Sequence, residues 1–68
     1  MKQQNGAAIR AIRTAKKIGV RELARDLGCS HGFICNVEAE RTYVSMEMLH
    51  DFATRLDVPV AAIMRDPS

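Results

Sequence analysis

Apolar residues recur at intervals of three and four along most of the chain, with polar residues between them. This spacing places the apolar side chains on one face of a helix, and it is clearest between Ser45 and Leu56. Residues that cap or break helices separate these stretches, so the pattern predicts a compact all-α domain of five helices. The predicted helices span residues 7–17, 20–27, 31–39, 46–56 and 60–64.

The connection between the second and third predicted helices is the most informative turn. Gly28 follows Leu27 directly and can end a helix sharply, and Ser30 is suited to cap the next helix. Two helices joined by a three-residue turn that contains glycine form a helix-turn-helix element, whose second helix can enter the major groove of DNA. The same shape is also a generic packing unit, so this spacing alone leaves the function open.

Length and composition restrict the possible functions. The 68 residues include no tryptophan and only 4% aromatic residues, so aliphatic side chains must form the core of a single domain, residues 1–68. A chain of this size has little room for a substrate pocket, and we do not expect an enzyme. No apolar run approaches the roughly 20 residues that span a bilayer. The first residues also lack the apolar segment of a secretory signal.

The formal net charge of +2 is unevenly distributed along the chain. Residues 1–27 carry seven basic and two acidic side chains, whereas residues 28–68 carry three basic and six acidic ones. The N-terminal part is therefore the candidate anion-binding part. A basic surface can also be merely solvated, so this charge needs a motif beside it before it indicates nucleic acid.

Several segments that include the predicted turn resemble a known family. They are similar to the lambdoid phage repressor and Cro family, the Xre-type helix-turn-helix domains. The resemblance covers almost the whole chain and implies a five-helix, repressor-like domain that binds double-stranded operator DNA, usually as a homodimer. The matching residues are IRAIR at 9–13, IGVRELA at 18–24, LGCS at 27–30, ICNVE at 34–38, and Leu49, Ala53, Leu56 and Val58.

The resemblance assigns base reading to the third helix, at His31, Gly32, Phe33, Cys35 and Asn36. An asparagine can pair with N6 and N7 of adenine, and a histidine can donate to N7 or O6 of guanine. Gly32 departs from the family pattern, because it offers only its backbone. Phe33 either touches a thymine methyl group or covers a neighbouring helix, and the sequence leaves both open.

Basic side chains and one hydroxyl group are the candidates for phosphate contacts. We expect about half of them to matter, since a single Lys or Arg is often only solvated. Val20 departs from the family pattern, which commonly has glutamine there, so that contact should be missing or made by backbone N–H groups. The candidates are Arg10, Lys16, Lys17, Arg21, Arg25, Ser30 and Arg41.

The resemblance also implies an internal ion pair between Arg13 and Glu38, which would join the first helix to the end of the third. Arg13 is therefore expected to be structural rather than to bind DNA, and its loss should destabilise the domain.

The apolar segment near the C-terminal end of the sequence is larger than a five-helix core requires. Its side chains either complete the core or form a two-fold dimer interface. The candidates for the interface are Val58, Val60, Ala61, Ile63 and Met64.

Cys29 and Cys35 flank His31 in a cluster of three metal-ligating side chains. A structural zinc site normally has four ligands, and His50 lies on a different predicted helix, so we expect neither a metal nor another cofactor. Cys29 is instead interpreted as a small core residue.

Two classes of function remain. The first is a sequence-specific DNA-binding transcriptional regulator, a repressor or Cro-like protein, which would act in the cytoplasm of a bacterium or a phage-infected host, at the nucleoid. The alternative is a protein-interaction module on the same scaffold, antitoxin-like or an adaptor. The modest net charge, Gly32 and Val20 favour this alternative.

Overall fold

The computed structural model describes residues 3–65, which form four α-helices, one 3₁₀ helix and a two-stranded sheet. The two strands are antiparallel, with Gln3 opposite Arg65 and Gln4 opposite Met64, so the two ends of the described chain lie side by side. The elements in chain order are β1 (Gln3–Gln4), α1 (Gly6–Ala15), α2 (Val20–Leu27), α3 (His31–Glu38), α4 (Met46–Leu56), the 3₁₀ helix (Val60–Ile63) and β2 (Met64–Arg65).

The helices begin and end at residues whose chemistry favours a helix terminus. The side chains of Asn5, Ser30 and Ser45 each accept a hydrogen bond from the N–H group three residues further on, at 3.1 Å. These bonds satisfy N–H groups that have no partner within the helix. Gly28 ends α2 with a φ of +72°, and Asp57 ends α4 with a φ of +58°. Both are left-handed positions, which glycine adopts without strain.

The helical nature of the predicted domain is confirmed, but the all-α description and the count of five α-helices are not matched. The segment predicted as the fifth helix, 60–64, is a four-residue 3₁₀ helix that ends at Ile63. Met64 is extended, with φ −114° and ψ 143°, because it pairs with Gln4 in the sheet. Strands of two residues are too short for alternation to show in a sequence, so the pattern gave no sign of them.

The predicted ends of the α-helices differ only slightly from the observed ones. The bounds of α2 and α4 match, and α3 ends one residue earlier than predicted. α1 begins at Gly6 and ends at Ala15 rather than at residue 17. It stops there because Lys17 has a φ of +59°, which cannot continue a right-handed helix.

The hydrophobic core lies between the helices and receives side chains from each of them. Phe52 on α4 is the largest fully buried side chain. Ile63, a predicted dimer-interface residue, is also 0% exposed and belongs to this core. It therefore offers no surface to a second copy. The buried apolar residues are Ile9, Ile18, Leu23, Ala24, Ile34, Val37, Leu49, Phe52, Ala53, Leu56 and Ile63.

The start of α1 lies directly against the end of α3. Gly6 is buried, and a Cβ atom at this position would overlap with the backbone carbonyl group of Glu38. Only glycine permits this approach of the two backbones.

None of the helices within residues 3–65 has both the length and the apolar character needed to cross a membrane.

Candidate nucleic-acid interface

The third helix is held by two core residues and leaves the rest of its surface open. Ile34 and Val37 are completely buried, and their spacing of three residues directs one side of α3 into the core. The four exposed residues within α3 lie on the other side of the helix, at positions i, i+1, i+4 and i+5. These residues are His31, Gly32, Cys35 and Asn36.

The remaining predicted base-reading residue, Phe33, lies elsewhere on the helix. It is half-buried and packs against the hydrophobic core, as does Cys29 in the preceding turn. Burial raises the pKa of the Cys29 thiol above its ordinary value. The structure therefore brings together four of the five predicted base-reading residues and places Phe33 at the edge of their surface.

The acidic side chains of α2 both pair with an arginine of α4. Arg55 of α4 donates from Nε to Oδ2 of Asp26 at 2.5 Å and from Nη2 to Oε2 of Glu22 at 3.1 Å. The hydrogen bond to Asp26 is the main cause of a raised pKa at Arg55. Arg21 and Arg25 are exposed, and the side chain of Arg25 retains 76% of its accessible surface. Both acidic groups therefore pair with Arg55 of α4, and Asp26 also lies 3.8 Å from Nε of Arg25, while the two arginines remain exposed.

Two shallow grooves border the exposed face of α3. One groove, between α2 and the start of α3, is lined by Arg21, Arg25, Ser30 and His31 among others. The other, between α1, the start of α2 and α3, is lined in part by Arg10 and by residues of α3 that include Cys35. Three of the predicted phosphate-binding arginines therefore flank the exposed face of α3, together with the hydroxyl group that caps it.

The other predicted phosphate contacts lie further away or on a loop. Lys16 and Lys17 follow the end of α1 and are exposed, but neither lines the two grooves. Arg41 follows α3, and its Nη1 lies 3.5 Å from Oδ1 of Asn36. Arg41 thus extends the basic surface beyond the end of α3, whereas the two lysines do not border that surface.

The start of α2 presents unsatisfied N–H groups instead of the side chain that is usual in the family. Gly19 caps the helix without any side-chain hydrogen bond. Val20 is half-buried, packs against the core and lines the groove that contains Arg10. The backbone N–H groups of this first turn are therefore the polar groups available at this position.

Arg13 and Glu38 form a closely spaced ion pair between α1 and α3. Nε of Arg13 donates to Oε2 of Glu38 at 2.6 Å, and Nη2 donates to Oε1 at 3.2 Å. Nη1 donates to the carbonyl oxygen of Ile18 at 2.9 Å. The two side chains are only 10% and 8% exposed. Arg13 therefore joins α1, the connection to α2 and the end of α3, and its charge is turned away from solvent.

The predicted dimer-interface residues differ in how much surface they offer. Val58, Val60 and Met64 are half-buried and pack against the core, while Ala61 is exposed. Ile63 is inside the core, as described above. The apolar segment therefore both completes the core and leaves part of its surface open.

The prediction from sequence missed Arg55, which pairs with both acidic side chains of α2. The signal that could have indicated it is the spacing of Glu22 and Asp26, four residues apart on one face of a helix. It also missed Tyr43, which is 59% exposed and lies close in sequence to Arg41.

Within residues 3–65, no group of three or more His, Cys, Asp or Glu side chains is arranged to hold a metal ion.

The packing of α2 against α3 across the turn at residues 28–30 defines this chain as a helix-turn-helix domain. Three similar solved structures share the fold. ClgR from Corynebacterium glutamicum, a clp gene regulator, has 38% identity and a TM-score of 0.78, with coverage of 82% of this chain and 73% of its own.

The restriction-modification controller protein C.AhdI from Aeromonas hydrophila has 30% identity, a TM-score of 0.79 and coverage of 84% of this chain and 86% of its own. SinR, the master regulator for biofilm formation, solved in complex with DNA, has 28% identity, a TM-score of 0.75 and coverage of 84% and 95%. No family model and no curated protein matches the sequence.

The chain therefore belongs to the Xre-type family of helix-turn-helix DNA-binding regulators, and the resemblance stated from the sequence is confirmed. The similar proteins are regulators of transcription, which also confirms the prediction of a regulator rather than an enzyme.

Proposed function

We propose that the exposed face of α3 enters the major groove of an operator and reads its bases, and that the flanking arginines bind the phosphates on either side. The domain is a sequence-specific DNA-binding transcriptional regulator. The observation that carries the proposed geometry is the charge around α3. Its exposed face contains no carboxylate, and arginines border it along both grooves.

Asn36 and His31 are the residues whose chemistry suits base reading. The amide of Asn36 can donate to N7 and accept from N6 of one adenine, and His31 can donate to a guanine. Gly32 and Cys35 lie beside them and are small, so they allow the helix to approach the bases closely. Phe33 packs against the core, and only its exposed edge is left for a thymine methyl group.

Arg10, Arg21, Arg25 and Arg41 are the proposed phosphate contacts with the best-supported positions. Each is exposed and lies beside α3 or directly after it. The N–H groups at the starts of α2 and α3 add a second source of phosphate binding, since helix N-termini attract anions. Ser30 caps α3 and contributes its hydroxyl group there. Lys16 and Lys17 are further candidates, at the end of α1.

The domain is further proposed to bind as a homodimer through the open surface of Val58, Val60, Ala61 and Met64. Two copies related by a two-fold axis would read two half-sites about one helical turn apart. The operator would then be a palindrome or close to one.

The test is selection of bound duplexes from a random library, followed by titration of the enriched sequence with Asn36→Ala. The matched control is His50→Ala, which removes an exposed polar side chain from α4. Asn36→Ala should weaken binding by about 1–3 kcal/mol and relax the preference at one base pair in each half-site. His50→Ala should leave both the affinity and the preference unchanged.

Arg21→Ala distinguishes phosphate binding from base reading in the same assay. It should weaken all duplexes nearly equally and reduce the slope of log affinity against log salt by about 1. If no sequence is enriched over random DNA, the base-reading role of α3 is wrong, and the protein-interaction module becomes the better explanation. An enriched site without two-fold symmetry would contradict the homodimer alone.

A further inference from the structure

We propose that Gln4 is a positioning residue for DNA binding, because its buried amide holds the loop between α3 and α4 so that Arg41 lies beside the exposed face of α3. This inference rests on the proposed function, in which Arg41 binds a phosphate. Gln4 lies on β1, outside the helix-turn-helix element.

The amide of Gln4 forms hydrogen bonds to the backbone at both ends of the loop. Nε2 donates to the carbonyl oxygen of Thr42 at 2.6 Å and to that of Val37, in the last turn of α3, at 3.4 Å. Oε1 accepts from the N–H group of Val44 at 3.4 Å. The side chain of Gln4 is 0% exposed, so water does not compete for these bonds. One side chain therefore supplies partners for three backbone groups.

The loop between α3 and α4 alternates between inward and outward residues. Glu40, Thr42 and Val44 are half-buried, whereas Arg41 and Tyr43 are exposed. The hydrogen-bonded groups of Thr42 and Val44 lie on the two sides of Tyr43 in the chain. Arg41 and Tyr43 are therefore the side chains that this loop presents to solvent.

A second set of contacts holds the residue before Arg41. Oε2 of Glu40 accepts from the N–H group of Gly6 at 3.0 Å and from Nη2 of Arg65 at 2.6 Å. The hydrogen bonds from Arg65 and then from Gly6 lower the pKa of Glu40. The N–H group of Arg41 itself donates to the carbonyl oxygen of Asn36 at 2.9 Å. Arg41 therefore lies between two held residues, and its backbone has little freedom.

Within residues 3–65, the carbonyl oxygen of Thr42 and the N–H group of Val44 have no backbone partner, so they depend on Gln4. A buried N–H or C=O group that loses its partner is costly, and the loop would move to expose it to water. An Arg41 on a mobile loop would have to be ordered when DNA binds, and this entropy cost would offset its attraction to phosphate. The contribution of Arg41 to DNA binding should therefore depend on Gln4.

The first measurement tests the loop in the absence of DNA, by amide hydrogen exchange. In the wild-type protein the Val44 amide should be protected, because its N–H group donates to a buried side chain. Gln4→Met keeps the length of the side chain and removes its amide, and it should speed exchange at Val44 at least tenfold relative to amides of α4. The matched control is Gln3→Met, since the side chain of Gln3 forms no hydrogen bond within residues 3–65 and is half-exposed.

The second measurement is a double-mutant cycle on DNA affinity at several salt concentrations, with the selected duplex. In the wild-type background Arg41→Ala should reduce the salt slope by about 1. In the Gln4→Met background the same change should reduce the salt slope by much less than about 1, because Arg41 already contributes little there. In the Gln3→Met background it should again reduce the slope by about 1. A purely structural role for Gln4 would lower the folded fraction but would not change the effect of Arg41.

The outcomes separate this inference from the proposed function. An unprotected Val44 amide in the wild-type protein overturns the inference without any variant, even if Gln4→Met fails to fold. If Arg41→Ala reduces the salt slope equally in the wild-type and Gln4→Met backgrounds, the inference about Gln4 is also overturned. If Arg41→Ala leaves the salt slope of the wild-type protein unchanged, Arg41 does not bind a phosphate and the inference about Gln4 is wrong. Base reading by α3 is tested separately, by Asn36→Ala.

Discussion

The ion pair between Arg13 and Glu38 leads to the sharpest prediction about stability. Arg13→Met removes two charge-assisted hydrogen bonds to Glu38, at 2.6 and 3.2 Å, and one to the carbonyl oxygen of Ile18 at 2.9 Å. The methionine fills most of the volume of the arginine stem, so the change tests the charge and the hydrogen bonds rather than the packing.

The size of the effect follows from what Arg13→Met leaves behind. The carboxylate of Glu38, 8% exposed, would have no cation beside it. Breaking a buried pair in this way costs about 3–5 kcal/mol. A domain of this length has a total stability of about 3–10 kcal/mol. We therefore expect Arg13→Met to remove at least about a third of the free energy of unfolding.

Urea unfolding followed by far-ultraviolet circular dichroism measures this loss. Arg10→Met is the matched control, because Arg10 is exposed one turn earlier on α1, and it should change the free energy of unfolding by less than about 0.5 kcal/mol. The double variant Arg13→Met/Glu38→Leu should be more stable than Arg13→Met alone, since it leaves no unpaired charge. A loss below about 1 kcal/mol for Arg13→Met would refute the reasoning.

Three further predictions concern single residues. Gly6→Ala should destabilise the domain by about 1–3 kcal/mol in urea unfolding, because its Cβ would overlap with the backbone of α3, whereas Gly19→Ala, with open space around it, should not. Asp57→Gly should raise the free energy of unfolding by about 0.5–1 kcal/mol, since it relieves a left-handed φ and removes a negative charge at a helix C-terminus; an unchanged urea midpoint would contradict this. The stability that Glu40 contributes is present above the ordinary glutamate pKa of 4.5 and is lost as pH falls through its lowered folded-state pKa. Below pH 4.5, the free energy of unfolding should therefore fall less steeply with decreasing pH in Glu40→Gln than in the wild-type protein. Equal slopes in the two proteins would exclude this contribution.

The helix-turn-helix element could be predicted from the sequence because its signals are local. Gly28 and Ser30 mark the turn by their own backbone and side-chain chemistry, and the apolar spacing of α4 needs no partner to be seen. The ion pair of Arg13 came from the family resemblance, since its two residues are 25 positions apart in the chain. Spacing alone carries no information about a contact of that kind.

The parts that the sequence did not indicate depend on contacts between distant segments. β1 and β2 are two residues each and become visible only when the two ends of the chain pair. Gln4 looks like a solvated residue in the sequence, yet tertiary structure buries its amide against the loop after α3. Arg55 likewise acquires its role only when α4 packs against α2. In each case the decisive partner lies at least 29 residues away in the chain.

The pairing of the acidic side chains of α2 with Arg55 also has a consequence for the proposed approach to DNA. The net charge of +2 is small, and a uniform distribution would give only weak long-range attraction. Arg55 pairs with both Glu22 and Asp26, so a cation from α4 compensates the two carboxylates of α2, and Asp26 lies 3.8 Å from Nε of Arg25 as well. In the proposed complex, this compensation should weaken the repulsion between the carboxylates of α2 and the approaching DNA. Under the proposed mode of binding, the association rate with DNA should therefore depend on Arg55, a residue outside the proposed interface.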